Sequence, residues 1–310
     1  VTPFLAALGA LEHRPLEIVV VDSGSDDGTK EALARASCAL PLRVERLDAN
    51  VGFAAGMNRA LGLTSAAWIL ALNADTRPEP DLVGALVARA TSAARQPIGA
   101  VTGRLTRLEP PDLLDACGMY LTWAWRHHDR GSGVSDRGQW TAPERVFGAT
   151  GAAVLLRRDA LDDVAVAGEV FAEEFHSYRE DAELAFRLRE RGWEIVYEPT
   201  AKAAHRRGAT PGRRRHLPAE VNFHSLKNRY LLRIYHQGAL NFLYTLLPTL
   251  GRDLAALAYV ILFERTSLAA YSWLWRHRRE IVVKRRRIRA RRSVPRHRVD
   301  RWFWTRGLPT

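Results

Sequence analysis

Val19-Val20-Val21-Asp22-Ser23-Gly24-Ser25-Asp26-Asp27-Gly28-Thr29 is the stretch that decides the fold class, because a buried apolar run empties there into a polar loop and then a helix. Outward from it, short apolar runs alternate with amphipathic helical patterns: residues 17–21, 27–36, 42–47, 54–63, 67–72 and 81–90. That alternation predicts an α/β fold with a mixed, mainly parallel sheet and covering helices. In such sheets ligands bind beyond the carboxyl ends of strands. Asp22 ends the first run, where a carboxylate can accept a hydrogen bond from a base N–H, and Gly24 and Gly28 let a ligand approach the backbone. A plain turn, with Asp26 or Asp27 capping the helix, is the second reading.

Three more clusters lie at similar places. In Asn50-Val51-Gly52-Phe53-Ala54-Ala55-Gly56-Met57-Asn58 a glycine turn opens a helix whose N-terminus can face a phosphate or a base edge. It is not a Walker A loop, since no Lys-Ser or Lys-Thr follows. Trp68 to Leu72 leads into Asn73-Ala74-Asp75; alternation at a strand end puts Asn73 and Asp75 on one side, able to share a divalent ion, unless they merely cap the strand. Ser177-Tyr178-Arg179-Glu180-Asp181-Ala182-Glu183-Leu184 begins a helix over residues 180–191, with Ser177 and Glu180 at capping-box spacing. Asp181 has no capping role, and the helix N-terminus favours its ionised form, as a general base needs. His205 follows a strand-like segment; its candidacy as a ligand depends on Asp75.

In this order, over roughly residues 1–210, these segments resemble the glycosyltransferase family 2 proteins of GT-A fold, particularly the rhamnosyltransferase-like enzymes of bacterial surface polysaccharides. The resemblance implies a cytoplasmic, inverting, nucleotide-sugar-dependent transferase of cell-envelope glycan synthesis, using Mg2+ or Mn2+. It places Asp22, Ser23, Gly24, Ser25, Asn50, Gly52, Asn58, Asn73, Asp75, Gly151 and Glu180 around the nucleotide sugar, Asp75 and His205 on the metal, and Asp181 as the catalytic base. The implied donor is dTDP-rhamnose, with UDP-hexoses as alternatives, and the acceptor is a lipid-linked or polysaccharide hydroxyl. Three features depart from the family pattern. The chain starts after the strand with which members usually begin, Ser23 replaces a commoner Asn, and Asn73 stands where many members carry the first Asp of an Asp-x-Asp pair. A noncatalytic, membrane-associated subunit that binds nucleotide sugar or polysaccharide is the alternative function.

Composition narrows the remainder. With 47% apolar residues in 310 the chain can bury a substantial core. Cys38 and Cys117 are too few and too isolated for a disulfide framework or a zinc cluster, which fits a reducing cytosol. The start, Val1-Thr2-Pro3-Phe4, is not expected to be a signal peptide. Residues 110–144, with Trp123, Trp125, His127, His128 and Trp140, read as a mobile insertion. The expected division is a catalytic domain over 1–212 and a helical, Arg-rich appendage over 213–310, with Pro248 and Pro295 as helix breaks.

Charge is uneven: residues 276–306 hold 14 Lys and Arg against Glu280 and Asp300, a net of +12, which equals that of the whole chain. Leu274, Ile281 and Ile288 recur every seven residues, giving an apolar stripe beneath a basic face that can lie on an anionic membrane, with Trp302, Phe303 and Trp304 as anchors. A solvated tail packed on the core is a second reading. Nucleic-acid binding is not expected, because no recognised module accompanies the arginines. The longest clean apolar run, residues 254–263, is too short to cross a bilayer, so no span is expected.

Overall fold

A computed structural model describes residues 2–35, 40–92, 97–207 and 217–305. Cys38, Arg213 to Arg215 and the expected domain boundary lie outside the described residues. Helix α1 (Thr2–Gly9) leads to β1 (Ile18–Ser23), α2 (Thr29–Ala34), β2 (Leu42–Leu47), α3 (Gly52–Gly62), β3 (Trp68–Leu72), β4 (Thr76–Pro78) and α4 (Leu82–Thr91). Then come β5 (Ile98–Arg107), β6 (Leu114–Ala116), β7 (Met119–Leu121), β8 (His127–Asp129), β9 (Glu144–Arg145), β10 (Ala153–Arg157), α5 (Arg158–Val164), α6 (Glu180–Arg191) and β11 (Glu194–His205).

The class is α/β, as the alternation predicts, but among the described residues parallel pairing is confined to β1 with β2 and β5 with β11. The central path runs β3-β10-β5-β11-β4, and β10 meets β3 and β5 antiparallel. Its strands, apolar on both faces, lie between two clusters: Leu82, Leu86, Val101 and Leu155 on one side, and Phe147, Leu156, Phe175 and Phe186 on the other.

Residues 110–144 are not a loose insertion. Trp125 is 1% exposed, stacks on Phe186 at 5.5 Å and donates its indole N–H to Asn241 at 2.8 Å, while β6 pairs β5. A buried indole with its N–H satisfied fixes its segment.

Beyond residue 218 stand α7 (Ala219–His236), α8 (Ala239–Phe263), α9 (Ala269–Arg276), α10 (Arg278–Ala290) and α11 (Arg296–Asp300). Two expectations fail in this region. Ile281 and Ile288 are buried within the same cluster as Phe186, and so are Trp302 and Phe303, so the seven-residue stripe packs on protein and only Trp304 of the three aromatics is exposed. Pro248 does not break a helix either: α8 runs through it for 25 residues, long and apolar enough by length and composition to cross a membrane.

Helix α6 is the hub between the sheet and these C-terminal helices. Glu183, fully buried, pairs with Arg187 at 2.6 Å and lies 3.4 Å from His236 of α7; Glu190 meets Arg292 at 2.7 Å. Burial opposes the Glu183 charge, but Arg187 and His236 outweigh it and hold the carboxyl at about 2. Replacing one partner of a buried pair strands the other. Glu183→Ala is expected to cost about 3–5 kcal/mol in denaturant unfolding; a loss below about 1 kcal/mol would mean that Arg187 finds other acceptors.

Candidate active site

The β1 loop is shaped by its own carboxylate. Asp22 is buried, its Oδ1 accepts the Ser25 N–H at 3.0 Å, and its Oδ2 pairs with Arg46 at 2.5 Å. Burial opposes the charge, and the Ser25 and Arg46 contacts together pull the pKa below the usual range. Ser23 Oγ accepts the Val51 N–H at 2.9 Å, joining this loop to the turn before α3. Gly24, at φ +72°, lies where a Cβ would come 2.9 Å from the Ala49 backbone, so the close approach requires glycine.

The N-terminus of α3 is not the open anion site its sequence suggests. Asn50 Oδ1 takes the Gly52 N–H at 2.9 Å, Ser177 Oγ the Phe53 N–H at 3.3 Å, and the His176 carbonyl the Ala54 N–H at 2.9 Å. Ser177 therefore caps α3 across space and makes no capping box with Glu180. Asn58 exchanges hydrogen bonds with the Phe171 backbone and reaches Glu173 at 3.0 Å, tying α3 to that segment.

The turn into α6 is strained: His176, Tyr178 and Arg179 take φ values of +62°, +72° and +73°. Asn228 of α7, fully buried, holds it by donating to the carbonyls of Phe175, Ser177 and Tyr178. Strain of this kind persists only where surroundings enforce it, and it clusters at functional sites. It presents Asp181, whose carboxylate accepts the N–H of Gly151 at 3.2 Å and of Ala182 at 2.7 Å. Gly151 also faces Phe53, so β10, α3 and α6 converge here. Burial, then the nearby Asp129 charge, raises Asp181 to about 6, against the expectation that the helix terminus keeps it readily ionised. Glu180, buried beside it, is raised by burial and by Asp181.

Strand β3 ends at Leu72, so Asn73 to Asp75 form a turn rather than an alternating strand end. Asp75 reaches His205 through register: β4 pairs antiparallel with β11, setting Thr76 opposite His205. Asp75 Oδ1 lies 3.3 Å from His205 Nε2, and the His205 Nδ1–H donates to buried Asp115 at 2.8 Å. Burial opposes a charged ring, but Asp115 and Asp75 prevail and raise its pKa to about 9. The residues fit a divalent cation, since two ligands at about 2.1 Å from one ion lie about 3 Å apart and a carboxylate behind the imidazole is the usual support. Asp75 and Asp115 concentrate negative charge that attracts a proton to His205.

Asp115 and Asp129, absent from the sequence reading, extend this cluster. Arg207 lies 3.3 Å from Asp115 and pairs with Asp129, whose charge reaches Asp181. Arg207 is thereby an internal tie rather than a free surface cation.

A sheet of this topology, with a carboxylate loop after β1 and an acid at the entry to α6, is that of a GT-A glycosyltransferase, and solved structures agree on the fold. A mannosyltransferase, PcManGT from Pyrobaculum calidifontis, solved with GDP-Man and Mn2+, aligns with a TM-score of 0.50 at 17% identity, covering 88% of this chain and 72% of that one. GalNAc-T7, solved with UDP, GalNAc and Mn2+, also gives 0.50, at 12% identity over 71% of this chain; the chain spans 42% of its length. Residues 1–164 match the sequence profile of glycosyl transferase family 2, and the chain belongs to that family. It is 26% identical over 234 residues, 68% of this chain and 73% of the relative, to an N-acetylglucosaminyl-diphospho-decaprenol L-rhamnosyltransferase of Mycobacterium tuberculosis. The protein is a glycosyltransferase.

Proposed function

We propose that the protein transfers a sugar, with inversion, from a nucleoside-diphosphate sugar to a hydroxyl of a lipid-linked acceptor in cell-envelope glycan synthesis. The observation that carries this reading is Asp181, presented by a strained turn against the Gly151 N–H with its pKa raised to about 6 by burial and the Asp129 charge. A base poised there can accept the acceptor hydroxyl's proton as oxygen attacks the anomeric carbon opposite the departing nucleoside diphosphate. Asp75 and His205, oriented by Asp115, would hold a Mg2+ or Mn2+ ion. When bound, such an ion neutralises charge building on the diphosphate. The loop from Asp22 to Ser25 and the turn at Asn50 to Gly52 would line the base pocket, with Asp22 fixing the loop and sharing an oxygen with the base. Asn73, Gly151 and Glu180 stand nearer the sugar.

The relative's name favours an L-rhamnosyl donor, so dTDP-rhamnose is the first to try and UDP-hexoses the next. Release of nucleoside diphosphate from a panel of such donors, with a diphospho-polyprenol-linked sugar and either metal, tests the reading. Absence of release with every pairing would overturn it.

In this reading residues 1–212 form the catalytic part and 213–310 hold it to the cytoplasmic face of the membrane. Support comes from α8, which is amphipathic in the reverse sense of a soluble helix. Asn241, Thr245 and Thr249 are buried, Arg252 donates to the Ala124 and Trp125 carbonyls, and Asp253 pairs with Arg229 and Arg233 of α7. The outer face carries Leu240, Phe242, Leu243, Leu246, Leu247, Leu250, Leu254, Leu257, Ile261, Leu262 and Phe263, each at least 37% exposed.

Soluble monomers rarely expose such a contiguous patch. Exposed Trp304 packs on Tyr244 and Trp123 at one end and Arg265 stands at the other, groups suited to a lipid headgroup layer. Because its polar stripe is bonded to the core along its length, α8 lies on the bilayer rather than crossing it. Leu243→Glu combined with Leu247→Glu is expected to abolish flotation with anionic vesicles while leaving the fold intact; unchanged flotation would return the role to the basic tail.

A further inference from the structure

Beneath α8, between it and the entry to α6, lies a cavity of about 160 Å3 lined by Arg179, Arg229 and Arg252 together with Ser225, Ala256 and Val260. Three guanidinium groups converge there; Arg179 also meets the charges of Glu180 and Asp181 and lies 3.4 Å from His127, and Arg252 donates to the Ala124 and Trp125 carbonyls. Asp253 lies close, but it is shared between Arg229 and Arg233. Burial, followed by the charges of Arg229, Arg179 and Arg126, depresses the Arg252 pKa. Burial, with help from Arg126, Arg252 and Arg179, also keeps His128 neutral, at about 4. Arg229, 6% exposed, leaves its buried Nε without a hydrogen-bond partner. Gathering like charges in a half-dry pocket is unfavourable unless an anion completes it. The volume, roughly five times the ~30 Å3 share of a water molecule, suits a diphosphate group.

The surroundings select among diphosphates. One wall is apolar, formed by Ala256 and Val260 of α8, whose neighbours Leu257 and Ile261 belong to the exposed apolar face. The other wall leads through Arg179 directly to Glu180 and Asp181 at the start of α6. We propose that this pocket binds the diphosphate of the lipid acceptor. Its hydrocarbon chain leaves along the outer face of α8, and its sugar points toward Asp181. The proposal rests on the lipid-linked reading of the acceptor and adds the site at which that acceptor is held.

The test uses the full chain in EDTA, so that a metal-dependent donor site contributes nothing, and geranyl diphosphate as a soluble prenyl diphosphate probe in titration calorimetry. Saturable binding is expected, at least about tenfold tighter than that of inorganic pyrophosphate. Arg252→Gln removes one guanidinium, and Ala256→Phe fills the pocket without removing charge. Each is expected to weaken the probe at least about tenfold, and to raise KM for the lipid acceptor while KM for the nucleotide sugar stays put. Ala256→Phe decides the matter if Arg252→Gln disturbs the Trp125 segment, and circular dichroism checks both.

No binding of the probe, or unchanged affinity in folded Ala256→Phe, overturns the proposal. Equal affinity for pyrophosphate overturns the lipid assignment in favour of a free-diphosphate site. Probe binding that responds to both variants in a protein that transfers no sugar would remove the proposed reaction and leave the pocket standing.

Discussion

Asp181→Asn is expected to lower turnover by about 10²–10⁴-fold while leaving nucleotide-sugar binding within a few-fold of the parent. The asparagine keeps the volume, and its single amide oxygen replaces one of the two carboxylate oxygens that accept from Gly151 and Ala182, while Asn228 still holds the turn into α6. What disappears is the ability to take a proton. The companion experiment is a pH profile. In the proposed role Asp181 works as its anion, and burial, aided by Asp129, raises its pKa to about 6. Turnover should therefore fall as pH drops through about 6, at a higher pH than the usual carboxylate range would give. Glu180 sits beside it, raised by burial and by Asp181 itself, and Arg179 opposes the shift, so the limb belongs to the pair. Asp129→Asn removes one source of the upward shift, although Arg207 then loses its partner. The expected result is an acidic limb displaced to lower pH. A limb that does not move in that variant, together with near-normal turnover in Asp181→Asn, would take the base role away from Asp181.

The parts of this site that were legible in sequence are those built from neighbours along the chain. The run ending at Asp22, the strand over 42–47 and the helix over 180–191 follow from local periodicity, and the structure has Leu42–Leu47 and Glu180–Arg191 there. What stayed hidden depends on pairing across distance. Asp115 reaches His205 because β6 lies against β5 and β5 against β11, a register that no local pattern announces. Ser177 is spaced as a cap for its own helix, yet a left-handed turn at Tyr178 and Arg179 carries it to α3. Asn58 is a plausible ligand on an isolated helix and becomes a tie only when the Phe171 segment is laid against it. The exposed apolar side of α8 was obscured for a different reason. Arg252 and Asp253 divide its apolar run, and only their inward contacts reveal that the apolar face continues past them.

Loss of the cation is the second large effect, and it follows from how His205 is held. Asp75→Ala or His205→Ala removes one of two facing donors and is expected to abolish measurable Mn2+ binding at micromolar metal, read by electron paramagnetic resonance in the presence of nucleoside diphosphate. Asp115→Asn is the more informative change, because Asp115 lies on the Nδ1 side of the imidazole and would not touch a cation held by Asp75 and Nε2. Its carboxylate accepts the Nδ1–H of His205, which leaves Nε2 as the nitrogen turned to Asp75 and makes the imidazole a stronger donor. Asparagine can still accept that hydrogen bond, but without the charge. It also leaves Arg207 leaning on Asp129 alone. The expected loss is about 10–100-fold in Mn2+ affinity. Raising the metal concentration should restore turnover in Asp115→Asn, whereas it should not rescue Asp181→Asn. That difference separates a group that orients a ligand from one that moves a proton. If Mn2+ binds Asp115→Asn as tightly as the parent while Asp75→Ala binds none, the imidazole is oriented by the strand pairing of Thr76 with His205 alone, and Asp115 serves only to neutralise Arg207.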